Sequence, residues 1–313
     1  MTRRPRQDRA PAQSTPTPSA AAPPRAATGA TRSAAARSAA GTRSGAGART
    51  GTGAGTAGAS RSTRTTRTTA PDTAEPADAA TRTPRRGRPL LVAEGVSRSY
   101  GDRTVLHPVS FRLSPGRCLA VVGVNGSGKT TLLRLAVGRD VPTTGTVTFA
   151  GEPVAEERLD VRARMAVVLD TGSHYPDLTV REHLQFVAAA HGVPDAADWV
   201  SWALADRNLT SRADALPSAL SSGQRQALSL AAALVRPRDL LVLDEPEQRL
   251  DPGARGRLVD RIAAEKADGT AVLFATHDHA LALEVADRVL VLADGHVVHD
   301  GRAADVAAAL AAS

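Results

Sequence analysis

A glycine-rich segment, GVNGSGKTT, occupies residues 123–131. The apolar run CLAVVG before it predicts a buried strand, and KTTLLRLAV after it predicts a helix that ends near Gly138. Glycines let backbone N–H groups wrap around an anion, and the helix N-terminus adds a favourable dipole. We therefore predict a phosphate-binding loop, whose residues are Gly123, Asn125, Gly126, Ser127, Gly128, Lys129, Thr130 and Thr131.

Two side chains of this loop have specific chemistry. The compact ammonium of Lys129 neutralises charge on the β- and γ-phosphates of a nucleotide, where the fork of an arginine would not fit. The hydroxyl of Thr130 is a ligand for Mg²⁺. The alternative is a glycine-rich turn without a ligand, which the strand, loop and helix in series make much the weaker interpretation.

A second polar cluster follows the apolar strand DLLVLD at residues 239–244. Asp244 at its end places a carboxylate where it can hold Mg²⁺, and Glu245 directly after it can polarise an attacking water. An exposed acid at a strand end is the plainer alternative for Glu245. Its position beside Asp244 favours the catalytic role.

These motifs have four companions, and together the six run in order across residues 90–301. The chain resembles the ATP-binding subunit of an ABC transporter: GVNGSGKTT resembles its Walker A motif, LDEP its Walker B and LSSGQ its signature. The resemblance makes Tyr100 of SYG an aromatic that stacks on adenine, although a surface tyrosine at a strand end is the alternative. It makes Asp251 part of the D-loop and His277 of FATHD the switch histidine, which acts with Glu245 and Lys129 in hydrolysis.

The resemblance also implies that one chain holds only half of each catalytic pocket. In this family two nucleotide-binding domains sit head to tail, so Ser221, Gly223 and Gln224 of one would face the γ-phosphate held by the other. Ser221 and Gln224 also form a capping-box pattern. The two interpretations are compatible, since a capped helix N-terminus with free N–H groups suits an anion. The second domain is either an identical copy or a paralogue.

By the same resemblance, ATP and Mg²⁺ drive separate transmembrane permease subunits from the cytoplasmic face of the membrane. The short segment after the last hairpin and the pattern DLTVREHL resemble the corresponding parts of ABC-2-type export subunits. One alternative is a soluble ABC ATPase acting on ribosomes or nucleic acid. A single motif set and the lack of heptads between Lys129 and Ser221 disfavour it, so no specific nucleic acid is expected. A non-hydrolysing regulatory module is disfavoured by Glu245 and His277.

The chain departs from the family pattern at several places. Asp170 stands where glutamine is usual; we expect it either to reach Mg²⁺ or to slow hydrolysis through its charge. Ser222 replaces a signature glycine. Glu247, Gln248 and Arg249 stand where threonine or serine, a small or polar residue and glycine are common. The principal hydrolytic groups are present, so we predict an active ATPase.

Residues 1–88 differ in composition from the remainder. They carry sixteen arginines and four acids, a net +12, so residues 89–313 carry −5 of the total +7. With no Leu, Ile, Val, Phe, Trp or Tyr between Thr2 and Pro89, we predict a disordered basic tail. An apolar signal segment is absent, and a transit peptide fits loosely. A polybasic arm on lipid or nucleic acid, and a wrongly assigned translation start, remain alternatives.

Residues 89–313 are predicted to form the nucleotide-binding domain. Strands alternating with helices indicate an α/β P-loop NTPase core with a mostly parallel sheet, after an N-terminal antiparallel β part. A helical subdomain at about 171–236 interrupts the alternation, with a capping box at Thr179 and two tryptophans to anchor its packing. The single cysteine, Cys118, excludes an internal disulfide and is expected to pack in a buried strand. No apolar run reaches the ~18–20 residues that span a bilayer.

Overall fold

The computed structural model describes residues 88–155, 157–169 and 174–311. Ten strands have these bounds: β1 Leu91–Tyr100, β2 Arg103–Leu113, β3 Cys118–Val122, β4 Thr144–Phe149, β5 Glu152–Pro153, β6 Met165–Val168, β7 Leu240–Asp244, β8 Ala271–Thr276, β9 Arg288–Ala293 and β10 His296–Arg302. Eight α-helices in the described residues have these bounds: α1 Lys129–Ala136, α2 Leu159–Arg162, α3 Val180–Ala190, α4 Ala196–Asp206, α5 Ser222–Leu234, α6 Pro252–Ala267, α7 His279–Val285 and α8 Ala303–Ala311; short 3₁₀ helices span Thr210–Arg212 and Pro217–Ala219. The predicted tail lies outside the described residues except for Arg88.

A six-stranded sheet forms the centre of the fold, in the order β10-β9-β3-β8-β7-β6. All neighbouring pairs from β9 to β6 are parallel, and β10 runs antiparallel at one edge. β3 and β8 are buried along their whole length because helices cover both faces, as their continuous apolar sequences require. Cys118 lies in β3, and burial raises the pKa of its thiol. The α/β core with a mostly parallel sheet is therefore confirmed.

A second sheet is antiparallel, in the order β2-β1-β4-β5. Its inner face packs with α1 and one face of the large sheet in a shared apolar core, of which Phe149, Leu106 and Leu132 are completely buried members. β1 and β2 are the antiparallel part predicted before the phosphate loop, and β4 and β5, which follow the loop in sequence, complete the sheet. The β1–β2 pairing shifts register between Ala93 and Val96, where Gly95 has φ of 59°. That irregularity breaks the alternation of residues along β1, so the sequence pattern indicated the end of this strand at Tyr100 but not its full extent.

Helices α3, α4 and α5 pack around their own apolar core. Thr179 and Glu182 form the predicted capping box at the start of α3. Trp199 and Trp202 meet edge to face on α4 with ring centroids 5.7 Å apart, and both pack against this core. In the described part of the chain, no helix is long and apolar enough to cross a membrane.

Candidate nucleotide-binding and hydrolysis site

Three neighbouring parallel strands bring the separate motifs to one edge of the sheet. Val122 at the end of β3 pairs with Thr276 at the end of β8, and Asp244 at the end of β7 pairs with Ala275. Because these carboxyl ends lie side by side, the phosphate loop, the Asp244–Glu245 pair and His277 all emerge together. Ligands bind in this crevice of open α/β sheets.

The phosphate loop ends at Gly128, which precedes α1 with a left-handed φ of 102°. A Cβ at this position would lie 3.1 Å from the carbonyl oxygen of Val105, so both conformation and space require glycine. Asn125, Gly126 and Thr130 are exposed and Thr131 is half-buried, whereas Ser127 is buried. The Oγ of Ser127 has no hydrogen-bond partner within the described structure, as expected of a hydroxyl that waits for a ligand.

Lys129 lies folded into the loop, with its side chain only 5% exposed. Its Nζ donates to the carbonyl oxygens of Gly123, at 2.8 Å, and Val124, at 3.1 Å. The same ammonium lies 3.4 Å from Oε1 of Glu245. The cation predicted to bind phosphates is therefore held among anionic and carbonyl oxygens of its own chain.

Thr130 and Asp244 meet directly, since the threonine Oγ1 donates to Asp244 Oδ2 at 2.6 Å. A hydroxyl and a carboxylate oxygen at this distance are two hard donors that suit Mg²⁺, which takes few protein ligands and completes its shell with phosphate oxygens and water. The residues present therefore fit this ion.

Glu245 follows Asp244 with φ of 44°, a left-handed conformation that is strained for a residue with a side chain. Its carboxylate accepts a hydrogen bond from the amide of Gln248 and lies 3.3 Å from Nδ1 of His277. Burial by itself raises the pKa of Glu245, but Gln248, Lys129 and His277 outweigh it and hold that pKa below its ordinary value. Glu245 is therefore ionised near neutral pH, the state that a general base requires.

Tyr100 ends β1 with 47% of its surface exposed. Its hydroxyl donates to Asp140, and the guanidinium of Arg98 lies 4.4 Å from the ring centroid. Arg98 also pairs with Asp140 at 2.7 Å. These contacts hold the tyrosine at the end of its strand. Both the adenine-stacking and the surface-tyrosine interpretations place it there.

The signature segment lies at a different place, on a cavity of about 380 Å³. Ser221 caps α5: its Oγ accepts from the backbone N–H of Gln224 at 3.2 Å, and the Gln224 side chain accepts from the N–H of Ser221 at 2.9 Å. Asp251, also on the cavity, caps α6 by accepting from the N–H of Ala254 at 2.7 Å. Other lining residues are Arg207, Asn208, Leu209, Ser222, Gly223, Ala227, Arg249, Leu250, Ala254 and Arg257.

Comparisons with known proteins agree with this geometry. The family model described as ABC transporter matches residues 106–248. Nod factor export ATP-binding protein I of Paraburkholderia xenovorans is 38% identical over 208 residues, which are 66% of this chain and 68% of the relative. The chain belongs to the ABC transporter family.

Solved structures of the family support the assignment. An ATP-binding subunit of an ABC transporter superposes with a TM-score of 0.66 at 30% identity, covering 71% of this chain and 93% of the other. CbiO1 of Clostridium perfringens, part of the transporter complex CbiONQ, gives a TM-score of 0.62 at 26% identity, covering 70% and 91%. The chain is thus an ATP-binding subunit of a transporter and an ATPase.

Within this ABC subunit the structure shows contacts that the motifs did not predict. Gln248 and Glu247 were noted only as departures from the family pattern, yet Gln248 bonds Glu245 and Glu247 lies beside His277. The pairing of Lys129 with Glu245 was also missed. The only signal in the sequence was the unusual polarity of EQR after the motif LDEP. Asp170, predicted as a further Mg²⁺ ligand, lies outside the described residues.

Proposed function

We propose that this ABC subunit powers export of a solute through separate membrane subunits, by closing on a second nucleotide-binding domain when ATP binds. One observation carries the proposal. The hydrolytic groups gather at the carboxyl ends of β3, β7 and β8, while the signature helix opens onto a cavity lined by other residues. Two pockets that each suit part of a nucleotide are what a head-to-tail pair of such domains needs.

In the first pocket, the β- and γ-phosphates of ATP replace Glu245 and the loop carbonyls as the partners of the Lys129 ammonium. Thr130 and Asp244 would hold Mg²⁺, and the ion would supply positive charge to the phosphate oxygens. Glu245, ionised and freed from Lys129, accepts a proton from the attacking water. His277 faces the γ-phosphate beside it, and Tyr100 stacks on the adenine.

The second pocket receives the nucleotide bound to the other domain, which is an identical copy or a paralogue. The N-terminus of α5 supplies N–H groups from Ser222 and Gly223, and Ser221 adds a hydroxyl. Arg249 and Arg257 are exposed on the cavity and make it electropositive. Phosphate bound there from outside joins the two domains until hydrolysis removes the γ-phosphate.

The dimer proposal is tested by steady-state ATPase assays over a wide range of protein concentration. We expect the rate per molecule to fall on dilution and to fall about tenfold further in Ser221→Ala, because the hydroxyl acts across the interface. Ser201→Ala is the matched control, since Ser201 bonds only within α4, to the carbonyl of Ala197 at 2.8 Å. A rate per molecule that stays constant on dilution, and is the same in Ser221→Ala, would refute the proposal.

Membrane subunits are proposed to dock from the cytoplasmic face of the membrane onto a groove beside β6, α3 and α5. Tyr175 and Phe186 are about half exposed there and meet edge to face with centroids 4.9 Å apart. Arg139, His191 and Arg236 border the same groove. An apolar segment with acidic residues matches both the aromatic pair and the two arginines of the border.

Docking and direction have their own test. The chain is isolated from detergent-solubilised membranes of cells that carry its own transporter, and the wild type is compared with Phe186→Ser. We expect one multi-span membrane protein to co-purify with the wild type, to stimulate its ATPase and to be lost with the variant. Vesicles containing the complex should move solute away from the face that carries this chain. Equal recovery with the variant, or uptake towards that face, would contradict the docking or the export assignment respectively.

A further inference from the structure

Glu247 is a buried carboxylate that the proposed mechanism does not use. Its side chain is only 8% exposed, and its Oε2 has no hydrogen-bond partner in the described parts of the chain. Its Oε1 accepts a hydrogen bond from the hydroxyl of Thr276. Burial raises the pKa of this carboxyl. A buried charge with one oxygen unpartnered destabilises a fold, so its presence next to the hydrolytic groups suggests a role there.

His277 is a titratable neighbour of Glu247. Nδ1 of His277 lies 3.8 Å from Oε1 of Glu247 and 3.3 Å from Oε2 of Glu245. The imidazole is about half exposed, so its ring orientation depends on these two carboxylates rather than on close packing. A carboxylate beside Nδ1 favours the tautomer with the proton on that nitrogen and leaves Nε2 as the free acceptor.

The two carboxylates differ in how firmly they are placed. Glu245 is held by Gln248, Lys129 and His277, and it must leave Lys129 and His277 to reach an attacking water. Glu247 is anchored by Thr276, a residue with no exposed surface. The hydroxyl of Thr276 in turn accepts the backbone N–H of Asp278 at 2.8 Å. Glu247 therefore stays in place when Glu245 moves.

We propose that Glu247 is a positioning residue for ATP hydrolysis: it takes over the Nδ1–H of His277 when Glu245 turns to the attacking water. The proton on Nδ1 stays where it is, and only its acceptor changes. Nε2 carries no proton in this tautomer, so throughout the reaction it can accept a hydrogen bond from the attacking water beside the γ-phosphate. This inference rests on the proposed hydrolytic roles of Glu245 and His277.

The test reads the protonation of the ring without relying on turnover. Glu245→Gln removes the competing carboxylate and holds ATP and Mg²⁺ unhydrolysed, and histidine ring-nitrogen NMR then reports the tautomer, with His277→Ala identifying the signal. We expect the proton on Nδ1 in Glu245→Gln and on Nε2 in Glu245→Gln/Glu247→Gln. The matched control is Glu245→Gln/Glu152→Gln, because Glu152 is an exposed acid paired with Arg158 and far from any motif in sequence.

Kinetics supply the second measurement, in the otherwise unchanged chain. Glu247→Gln should lower kcat about threefold to tenfold and leave KM for ATP within about twofold, because orientation matters in the transition state and not in binding. The same tautomer with and without Glu247, or an unchanged kcat, would overturn the positioning role. If His277→Ala leaves kcat unchanged, the hydrolytic assignment itself is wrong and the inference falls with it.

Discussion

The phosphate loop and the signature segment present opposite electrostatic arrangements. At the phosphate loop the charges are paired inside the chain: Lys129 contacts Glu245, and Thr130 bonds Asp244. At the signature cavity, two exposed arginines, Arg249 and Arg257, accompany a helix N-terminus. Asp206 is shared between two buried guanidiniums, Arg207 and Arg261, and Asp251 also lines the cavity, so four arginines stand against two aspartates.

This difference teaches how the two pockets acquire a ligand. In the proposed mechanism, nucleotide that enters the phosphate loop displaces the Lys129–Glu245 ion pair and frees Glu245, the proposed base. The signature cavity offers cationic and N–H groups with fewer acids to compete, so an anion brought by another molecule meets little opposition. Under the proposed function, one pocket responds to its own ligand and the other completes the site of a second domain.

The largest effect should come from Glu245→Gln. Removing the base is expected to lower kcat at least ~100-fold, while the neutral amide leaves ATP binding intact and the closed dimer accumulates. Size-exclusion chromatography with ATP and Mg²⁺ measures the dimer. Glu284→Gln, which alters an exposed acid paired with Arg255, should hydrolyse ATP normally. A Glu245→Gln protein that elutes only as a monomer would contradict the comparison.

Gly223→Ala should damage the other pocket alone. A Cβ at Gly223 would lie 3.0 Å from the carbonyl oxygen of Arg249, so the segment bordering the cavity must shift. We expect about a tenfold loss of ATPase with unchanged ATP affinity of the monomer, measured by equilibrium binding. Gly256→Ala in α6 is the control: nothing lies within 4 Å of its added Cβ, and activity should be preserved. Weakened ATP binding in Gly223→Ala would show that the pockets are not separable.

Arg249→Gly tests the signature cavity through the free energy of unfolding of the protein. Arg249 has φ of 63°, which glycine adopts without strain, so the free energy of unfolding should rise by about 1 kcal/mol. Urea denaturation without nucleotide measures it. The same variant should lose ATPase activity if the guanidinium acts at the dimer interface. Arg257→Gly places glycine within α6 and should instead destabilise by about 1 kcal/mol.

The smallest effect concerns pH and stability. Burial raises the pKa of Glu247, so its contribution favours folding below the unfolded pKa and is lost as pH rises through the folded pKa. Glu247→Gln should therefore raise Tm near neutral pH by about 2 °C and not at about pH 4. The pKa of Glu245 is lowered instead, so stability depends on pH in the opposite direction: its stabilisation is present above the unfolded pKa and is lost as pH falls through the folded pKa. Thermal melts at the two pH values compare the pair, and a Tm gain at about pH 4 alone would contradict the assignment.

The sequence predicted much of the fold because buried strands and capped helices have short-range signals. CLAVV and LLVLD appear as β3 and β7 within a residue of their expected bounds. The extent of β1 was not predicted because the irregularity at Gly95 interrupts its alternation, and α7 was not predicted because seven residues give little periodicity. The chemical types at the candidate site were predictable from motif spacing. Their mutual contacts were not, because residues far apart in sequence meet only through the sheet.

The sequence by itself determined which groups are available: a phosphate loop, two carboxylates after an apolar strand, a histidine after another, and a capped signature helix. These follow from local spacing, which fixes what a strand, turn or helix can present. Only the tertiary structure decided that Lys129 rests on Glu245, that Glu247 and Glu245 flank His277, and that the signature opens elsewhere. Strand order and register place these groups, and both depend on packing between distant segments of the chain.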